Sequence, residues 1–319
     1  GRGGMGVVYL ARQREPFGRQ VAVKVIKRGM DSDAVVRRFS AERKVLALMN
    51  HPAIAAILDG GLTKDGLPYF VMPVVEGCAI TEFCDRERLP VEARLRMFVD
   101  VCDGIAHAHK KGVIHRDIKP SNILVADQDG RPAPRIIDFG LARAVDCQKV
   151  EATLFTTQGL VVGTPEYMSP EQACMGEQDV RSDVYSLGVV LYELLIGVLP
   201  LERDEYRAGN LLGWPFAGHA SEPKRPSHRL VAVGGIASVA ERRQTDGATL
   251  LRTLRSDLDW IVLRALERDP ERRYQSVDGL ANDVKRFLAR MPIVAKPPTA
   301  AYRLRKLLER HRSMAILAG

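Results

Sequence analysis

A chain of 319 residues, 46% hydrophobic and 27% charged, can bury a sizeable core and has the composition of a soluble globular protein. Its formal net charge is +8, and the densest basic patch, YRLRKLLERHR near the end, is typical of a solvated helix face; no motif elsewhere indicates a nucleic-acid partner. No apolar run reaches the roughly 18–20 residues of a membrane span, and five cysteines without a C-x-x-C pair indicate free thiols in a reducing compartment.

Residues 1 to about 75 are predicted to be rich in strands, with one helix. The β-branched runs VVYLA and QVAVKVI predict two strands joined by the turn REPFGR. The segment DAVVRRFSAERKVLALMN has apolar residues at helical spacing and is predicted to be a helix that ends before Pro52, and LPYFVMPVV is predicted to be a buried strand.

From about residue 80 onward, helical patterns dominate. The segment VEARLRMFVDVCDGIAHAHKKG predicts a helix that stops near Gly112, and DVYSLGVVLYELLIG is apolar nearly all round, which predicts a buried central helix. Residues 202–250 are less regular, and PIVAKPPTA is typical of a proline-rich linker. The pattern predicts a small β-rich lobe followed by a larger α-rich lobe.

The opening stretch GRGGMG places glycines at positions 1, 3 and 6 in a G-x-G-x-x-G pattern. A dinucleotide-binding fold requires a strand before this motif and a helix after it, whereas here a strand, VVYLA, follows. The order favours a β-turn-β flap whose glycines let backbone N–H groups approach phosphates, with an ordinary glycine turn as the alternative.

Further polar residues follow in an order that suits phosphate chemistry. Lys24 lies on the strand VAVK, and Glu42 in the predicted helix is a carboxylate able to hold it. HRDIKPSN contributes Asp117, a carboxylate able to orient a hydroxyl, and Asn122, whose amide oxygen can bind a metal. DFG contributes Asp138, a hard oxygen ligand suited to Mg²⁺.

Together these motifs resemble the protein kinases, specifically the eukaryotic-like Ser/Thr kinases of bacteria, from Gly1 to about Arg290. The resemblance implies a bilobal α+β protein-kinase fold with a small β-rich N-lobe containing one helix (1–75) and a larger α-helical C-lobe (76–290). A proline-rich linker and basic tail (291–319) follow. It also implies transfer of the γ-phosphoryl group of ATP to Ser/Thr hydroxyls of proteins.

The resemblance implies a role for each site residue. Asp117 is the catalytic base or orienting group, Lys119 approaches the γ-phosphate, and Lys24 binds phosphates while paired with Glu42. Asn122 and Asp138 hold Mg²⁺, with Mn²⁺ as an alternative. The implied ATP-binding residues are Gly1, Gly3, Gly6, Val8, Ala22, Lys24, Met72, Pro73, Val75 and Leu124.

The hinge departs from the family pattern. After the gatekeeper Met72, many relatives have an acidic and then an aromatic residue, but this chain has Pro73, Val74 and Val75. Adenine requires the carbonyl of Pro73 and the N–H of Val75, and both are present. We therefore predict that ATP binding is retained.

Other features of the resemblance concern specificity and regulation. Lys119, two residues after Asp117, and Thr164, in the segment GTPEY, resemble the residues found at these places in Ser/Thr kinases. An arginine directly before the catalytic aspartate, here Arg116, resembles the arrangement in kinases that are activated by activation-loop phosphorylation. Thr153, Thr156 and Thr157 are the candidate acceptors, with Thr156 or Thr157 favoured, although all three could be ordinary loop residues.

The resemblance also predicts two structural contacts, and the residues argue against a metal site. Glu171 of SPE is expected to pair with Arg273, and Asp183 is expected to anchor the catalytic loop from the buried helix. His107 and His109 are two apart and do not share a helix face, so packing or capping is predicted rather than metal binding.

The segment 202–258 and the tail resemble a subgroup of bacterial kinases in which a membrane helix, often with helical repeats, follows the kinase domain. This implies a cytoplasmic kinase domain anchored in the inner or plasma membrane, with the chain ending just inside that helix. Separately, protein kinases have a strand that enters the glycine flap, so the resemblance implies that the first strand is shortened at Gly1. A homodimer for autophosphorylation is an option in this setting.

Two further functions remain as alternatives. A catalytically weak kinase-fold scaffold or binding module usually lacks the lysine, the catalytic aspartate or the metal aspartate, whereas Lys24, Asp117 and Asp138 are all present. A small-molecule kinase of the aminoglycoside or choline type lacks the G-T-x-E-Y and S-P-E segment, which is intact here.

Overall fold

A four-stranded antiparallel sheet forms the N-terminal part of the computed structural model, which describes residues 6–15, 18–26, 49–128, 130–139, 165–174, 176–202, 222–297, 299, 302, 304, 306 and 307. Its strands are β1 (Gly6–Gln13), β2 (Arg19–Ile26), β3 (Asp59–Leu62) and β4 (Pro68–Pro73), in the order β1-β2-β4-β3. The two strands predicted from VVYLA and QVAVKVI are confirmed, as is the strand in LPYFVMPVV.

The register of this sheet decides which side chains share a face. Val8 lies opposite Lys24 in the β1–β2 pair, and Ala22 lies opposite Met72 in the β2–β4 pair. Directly opposed residues point to the same side, as do residues two apart on one strand. One face of the sheet therefore carries Val8, Ala22, Lys24 and Met72.

A second antiparallel sheet lies at the start of the helical part, with strands β5 (Gly77–Ala79), β6 (Ile123–Gln128) and β7 (Arg131–Ile136). The backbone between β2 and β3 reaches it through two hydrogen bonds, from the Ala55 N–H to the Ile136 carbonyl (2.9 Å) and from the Ile136 N–H to the Ala53 carbonyl (2.8 Å). These bonds fix the β-rich part against the strand that leads to Asp138.

The α-helices include the two predicted from the apolar patterns VEARLRMFVDVCDGIAHAHKKG and DVYSLGVVLYELLIG. They are α1 (Ile80–Arg86), α2 (Val91–Lys110), α3 (Pro170–Ala173), α4 (Val180–Ile196), α5 (Pro226–Val233), α6 (Ile236–Glu241), α7 (Gly247–Thr253), α8 (Asp259–Ala265) and α9 (Val277–Leu288). A π-helical turn over Leu254–Leu258 joins α7 to α8. A β-rich N-terminal part followed by a helical C-terminal part confirms the bilobal α+β prediction.

Helix α4 is the buried central helix that the sequence predicts. It begins at the N-cap Asp179, whose side chain accepts the Arg181 N–H, and it ends at Gly197, which has a φ of 77°. A Cβ at Gly188 would lie 2.8 Å from the Cβ of Ala265, so the missing side chain allows α8 to pack closely on α4.

Residues 202–250 contain more regular structure than the sequence predicts, because α5, α6 and part of α7 lie there. Pro226 occupies the first turn of α5, and Asp246 caps α7 by accepting the Thr249 N–H. These capping signals are short, and helices α5 and α6 have too few residues to show a clear helical periodicity of apolar side chains.

The proline-rich segment after α9 is held against the helical lobe. The N–H groups of Val294 and Ala295 donate to the Asp283 carboxylate at 2.7 and 2.8 Å, and the buried Tyr302 hydroxyl accepts the Ile293 N–H. Its backbone donors are thus partly satisfied by side chains of the lobe.

The interpretation of the basic patch as a solvated helix face is wrong for Lys306. Only 7% of this residue is exposed, and its Nζ lies 2.6 Å from Oδ2 of the buried Asp257. Arg303, Arg305, Arg310 and Arg312 lie outside the described residues. Among the helices that the structure describes, none has both the length and the apolar character needed to cross a membrane.

Candidate active site

Lys24 on β2 forms an ion pair that links the two parts of the molecule. Its Nζ lies 2.9 Å from Oδ2 of Asp138, and the two side chains are 9% and 22% exposed. A buried ammonium group requires a compensating partner, and the Asp138 carboxylate provides it. The pair lies on the same face of the sheet as Val8 and Ala22, so a ligand on that face would meet both charges.

Asp117 lies at the centre of a second polar cluster, formed by the loop after α2. Lys119 Nζ donates to Asp117 Oδ1 at 2.9 Å, while Asn122 Nδ2 donates to the Asp117 carbonyl at 2.7 Å and to its Oδ2 at 2.9 Å. Both bonds of Asn122 use its amide nitrogen, so its amide oxygen is the atom left for a cation. The bonds also fix the direction of the Asp117 carboxylate.

Asp183 on α4 holds this loop from behind, as the resemblance predicted. It is fully buried, and its carboxylate accepts the backbone N–H groups of His115 and Arg116, each at 2.8 Å. It also accepts a 2.7 Å bond from Nε2 of His109. Burial alone would raise the pKa of Asp183, but the bond and charge of His109 and the N–H of His115 bring it below its usual value.

The ring of His115 connects the loop to the segment that carries Asp138. Its Nε2–H donates to the Ile137 carbonyl at 3.1 Å, which leaves Nδ1 to accept the Asp117 N–H at 3.3 Å. The ring also contacts Phe139, with 4.7 Å between centroids. Asp117 and Asp138 are therefore positioned by one shared side chain.

The segment before α4 is anchored by a predicted ion pair. Arg273 Nη1 and Nη2 donate to Glu171 at 2.9 and 3.2 Å, and the Ser182 hydroxyl donates to Glu171 Oε1 at 2.7 Å. Burial acts to raise the pKa of Glu171, but the bonds and charge of Arg273 outweigh it and hold the pKa below its usual value. The pairing of Glu171 with Arg273 is confirmed.

The remaining predicted residues lie in three places. Met72 and Pro73 end β4, Val75 follows that strand, and Leu124 lies on β6 opposite Ala79; Gly6 begins β1. Their roles toward ATP stay predictions. The predicted residues that lie outside the described residues are Gly1, Gly3, Glu42, Thr164, Thr153, Thr156 and Thr157.

Sequence reasoning missed two contributors to the loop. It assigned His109 to packing or capping, but this side chain pairs with Asp183, 74 residues away. It did not single out Gln172, which donates to the Arg116 carbonyl at 2.8 Å. The capping-box spacing Ser169-x-x-Gln172 was the available signal for the latter.

The donor set suits a hard divalent cation. Asp138 and Asn122 provide one carboxylate and one amide oxygen, and Mg²⁺ in nucleotide sites is commonly bound by one or two such protein oxygens together with phosphates. Within the described part of the chain there is no cluster of three or more His, Cys, Asp or Glu able to hold a metal by itself. The residues therefore fit a cation that arrives with a phosphate ligand.

Comparison with known proteins agrees with this geometry. The protein kinase domain family matches residues 1–282. The chain is 34% identical over 297 residues to the serine/threonine-protein kinase PknB of Mycobacterium leprae, covering 92% of this chain and 42% of that protein. It is 35% identical over 291 residues to PknB of Mycobacterium tuberculosis, covering 90% and 41%.

A solved structure shows the same fold. The crystal structure of the M. tuberculosis PknI kinase domain superposes with a TM-score of 0.60 at 26% identity, covering 90% of this chain and 92% of that one. The chain spans less than half the length of the PknB proteins that it matches. It belongs to the protein kinase domain family.

Proposed function

We propose that this chain catalyses transfer of the γ-phosphoryl group of ATP to serine and threonine hydroxyls of proteins. The observation that carries the proposal is the hydrogen-bonded cluster of Asp117, Lys119 and Asn122, held from behind by the buried Asp183. A carboxylate fixed in this way can align an acceptor hydroxyl and take up its proton. Lys119 adds a positive charge beside the position of the transferring group.

ATP is proposed to bind against the sheet face that carries Val8, Ala22, Lys24 and Met72. Lys24 would neutralise phosphate oxygens, with Val8 and Ala22 above the adenine and Leu124 below it. Pro73 would accept from the adenine amino group through its carbonyl, and Val75 would donate its N–H. The backbone N–H groups of Gly1, Gly3 and Gly6 would contact the phosphates.

Asn122 and Asp138 would hold Mg²⁺, or Mn²⁺ in its place. When bound, the cation neutralises charge on the triphosphate and keeps its oxygens in place. The protein's own contribution is to orient Asp117 and to place Lys24 and Lys119 near the phosphates, since phosphoryl transfer depends mainly on positioning and charge stabilisation.

Finer aspects rest on the resemblance alone. We propose that Thr164 helps select Ser/Thr acceptors, that Glu42 pairs with Lys24 during catalysis, and that phosphorylation of Thr156 or Thr157 activates the enzyme through Arg116. We also propose a cytoplasmic kinase domain anchored through a membrane helix, with homodimers able to autophosphorylate.

A radiometric assay with ATP, Mg²⁺ and a library of Ser- and Thr-containing peptides tests the proposal. Asp117→Asn should reduce kcat by about 10²–10⁴-fold while the ATP dissociation constant stays within a few-fold. Asp127→Asn, which changes an exposed carboxylate on β6, is the matched control and should keep wild-type turnover. Absence of turnover in the wild-type chain, with ATP binding intact, would favour the scaffold function.

A further inference from the structure

Arg116, the residue before Asp117, has a left-handed backbone with a φ of 66°. A residue other than glycine or asparagine rarely adopts this conformation unless its surroundings impose it. Here its N–H donates to Asp183 Oδ1 at 2.8 Å, and its carbonyl accepts from Gln172 Nε2 at 2.8 Å. Holding both polar groups of one residue fixes its two backbone dihedrals, and therefore the starting direction of Asp117.

Gln172 is itself held in place. Its amide oxygen accepts the Ser169 N–H at 3.0 Å, and the Ser169 hydroxyl accepts the Gln172 N–H at 3.3 Å. The preceding residue, Glu171, is bound to Arg273 through two hydrogen bonds. With its oxygen used by Ser169, the amide of Gln172 has only its nitrogen to offer, and that nitrogen meets the Arg116 carbonyl.

The two holders of Arg116 differ in origin. Asp183 comes from the buried helix α4, whereas Gln172 comes from α3, directly after the S-P-E segment. Asp183 accepts the N–H of Arg116, whereas Gln172 donates to its carbonyl, which belongs to the peptide group that leads into Asp117. The N–H of this peptide group donates to His115 Nδ1 at the longer distance of 3.3 Å, so losing Gln172 removes the shorter of the two hydrogen bonds that orient the group.

We propose that Gln172 is a positioning residue for phosphoryl transfer, which acts on Asp117 through the Arg116 carbonyl and does not touch the reacting atoms. This rests on the proposed function, in which Asp117 aligns the acceptor hydroxyl. A small misplacement of such a group slows the chemical step while leaving substrate binding largely intact. The effect of removing the donor should therefore appear in kcat and not in the KM for ATP.

Three variants separate this role from helix capping. Gln172→Glu keeps an oxygen for the Ser169 N–H, as in the usual capping box, but has no donor for Arg116 at neutral pH. Gln172→Met removes the donor without adding charge. Ser169→Ala removes the hydroxyl half of the capping box and leaves the Gln172 donor in place.

We expect both Gln172 variants to lower kcat by about 10- to 100-fold with the KM for ATP within about three-fold of wild type. Ser169→Ala should keep kcat within about three-fold although its Tm falls, because capping affects stability and not the Arg116 carbonyl. Equal kcat losses in Ser169→Ala and Gln172→Met, or wild-type kcat in both Gln172 variants, would overturn the proposal.

Hydrogen–deuterium exchange of peptides that cover 115–118 provides a readout without turnover. The Arg116 and Asp117 N–H groups, which donate to Asp183 and to the His115 ring, should exchange faster in both Gln172 variants and at the wild-type rate in Ser169→Ala. If the wild-type chain lacks kinase activity, the proposed function fails and this exchange pattern alone decides the inference. Unchanged protection in the Gln172 variants would then reject it.

Discussion

Lys24 Nζ and Asp138 Oδ2 lie 2.9 Å apart, and this ion pair joins the N-terminal sheet to the segment that leaves the three-stranded sheet. Lys24 is largely buried and Asp138 is partly open. Asp138, whose carboxylate oxygens could bind a cation, is thus the more solvent-accessible member of the pair, and Lys24, which is expected to bind phosphate, is the less accessible one. We therefore expect the cation of a bound nucleotide to approach the ion pair from the side of Asp138.

Asp138→Asn should reduce kcat by at least about 10²-fold. A neutral amide holds a divalent cation less well than a carboxylate does, and that cation stabilises the charge on the phosphoryl group during transfer. ATP should still bind, but Mg²⁺ should no longer strengthen its binding. Isothermal titration calorimetry with and without Mg²⁺ measures this difference. Asp127→Asn is the control, and a Mg²⁺ effect on ATP affinity of equal size in both variants would contradict the prediction.

Asp183→Ala should lower the free energy of unfolding by about 3–5 kcal/mol, because it leaves two buried backbone N–H groups and His109 without their acceptor. Urea denaturation monitored by circular dichroism measures the change. Asp179→Ala removes an exposed N-cap at the start of the same helix and should lose only about 1 kcal/mol. Similar losses of unfolding free energy in the two variants would show that the hydrogen bonds of Asp183 to His115 and Arg116 do not stabilise the protein more than an ordinary N-cap does.

The Glu171–Arg273 pair should make stability sensitive to acid. The folded-state pKa of Glu171 lies below its usual value of 4.5. Its contribution is therefore complete above pH 4.5 and is lost as the pH falls below 4.5 through the folded-state pKa. Wild-type Tm should fall more steeply over that range than the Tm of Glu171→Gln, which is already less stable at pH 7.

Glu241→Gln provides the reference for this measurement, because Glu241 forms an exposed ion pair with Arg88. Such a pair contributes little, so the Tm of this variant should follow the wild-type pH profile. Parallel profiles of Tm against pH for wild type and Glu171→Gln would mean that the contact with Arg273 does not stabilise the ionised form of Glu171.

Lys306→Met should lower the free energy of unfolding by about 3 kcal/mol, because Asp257 is buried and loses its nearest cation. Lys285→Met, which breaks the exposed pair with Asp103, should lose less than about 1 kcal/mol. Chemical denaturation of the two variants under identical conditions provides the comparison. Equal losses of unfolding free energy in the two variants would mean that Lys306 is exposed to solvent and not paired with the buried Asp257.

The sequence predicted the parts of the site that depend on spacing along the chain. Asp117, Asn122 and Asp138 lie in short motifs, and the strand carrying Lys24 follows from its β-branched run, so the fold and most residues of the candidate site could be named in advance. The contact of Asp183 with the loop was available only through the resemblance to protein kinases. Its geometry depends on how α4 packs, which no local pattern encodes.

Contacts formed between distant segments escaped prediction. His109 occupies an ordinary position near the end of α2, and only the folded chain brings it to Asp183. Lys306 belongs to a strongly basic segment, where solvation is the natural expectation, and its burial depends on a carboxylate 49 positions earlier in the chain. The role of the Pro73 hinge in ATP binding stays a prediction.

The docked proline-rich segment matters to anyone who expresses this domain. The family match ends at residue 282, one position before Asp283, whose carboxylate accepts the Val294 and Ala295 N–H groups. A fragment stopped at that boundary would remove Asp283 and would leave Asp257 without both of the lysines that approach it, Lys296 and Lys306. The unit that can be cut out and purified therefore extends at least to Lys306.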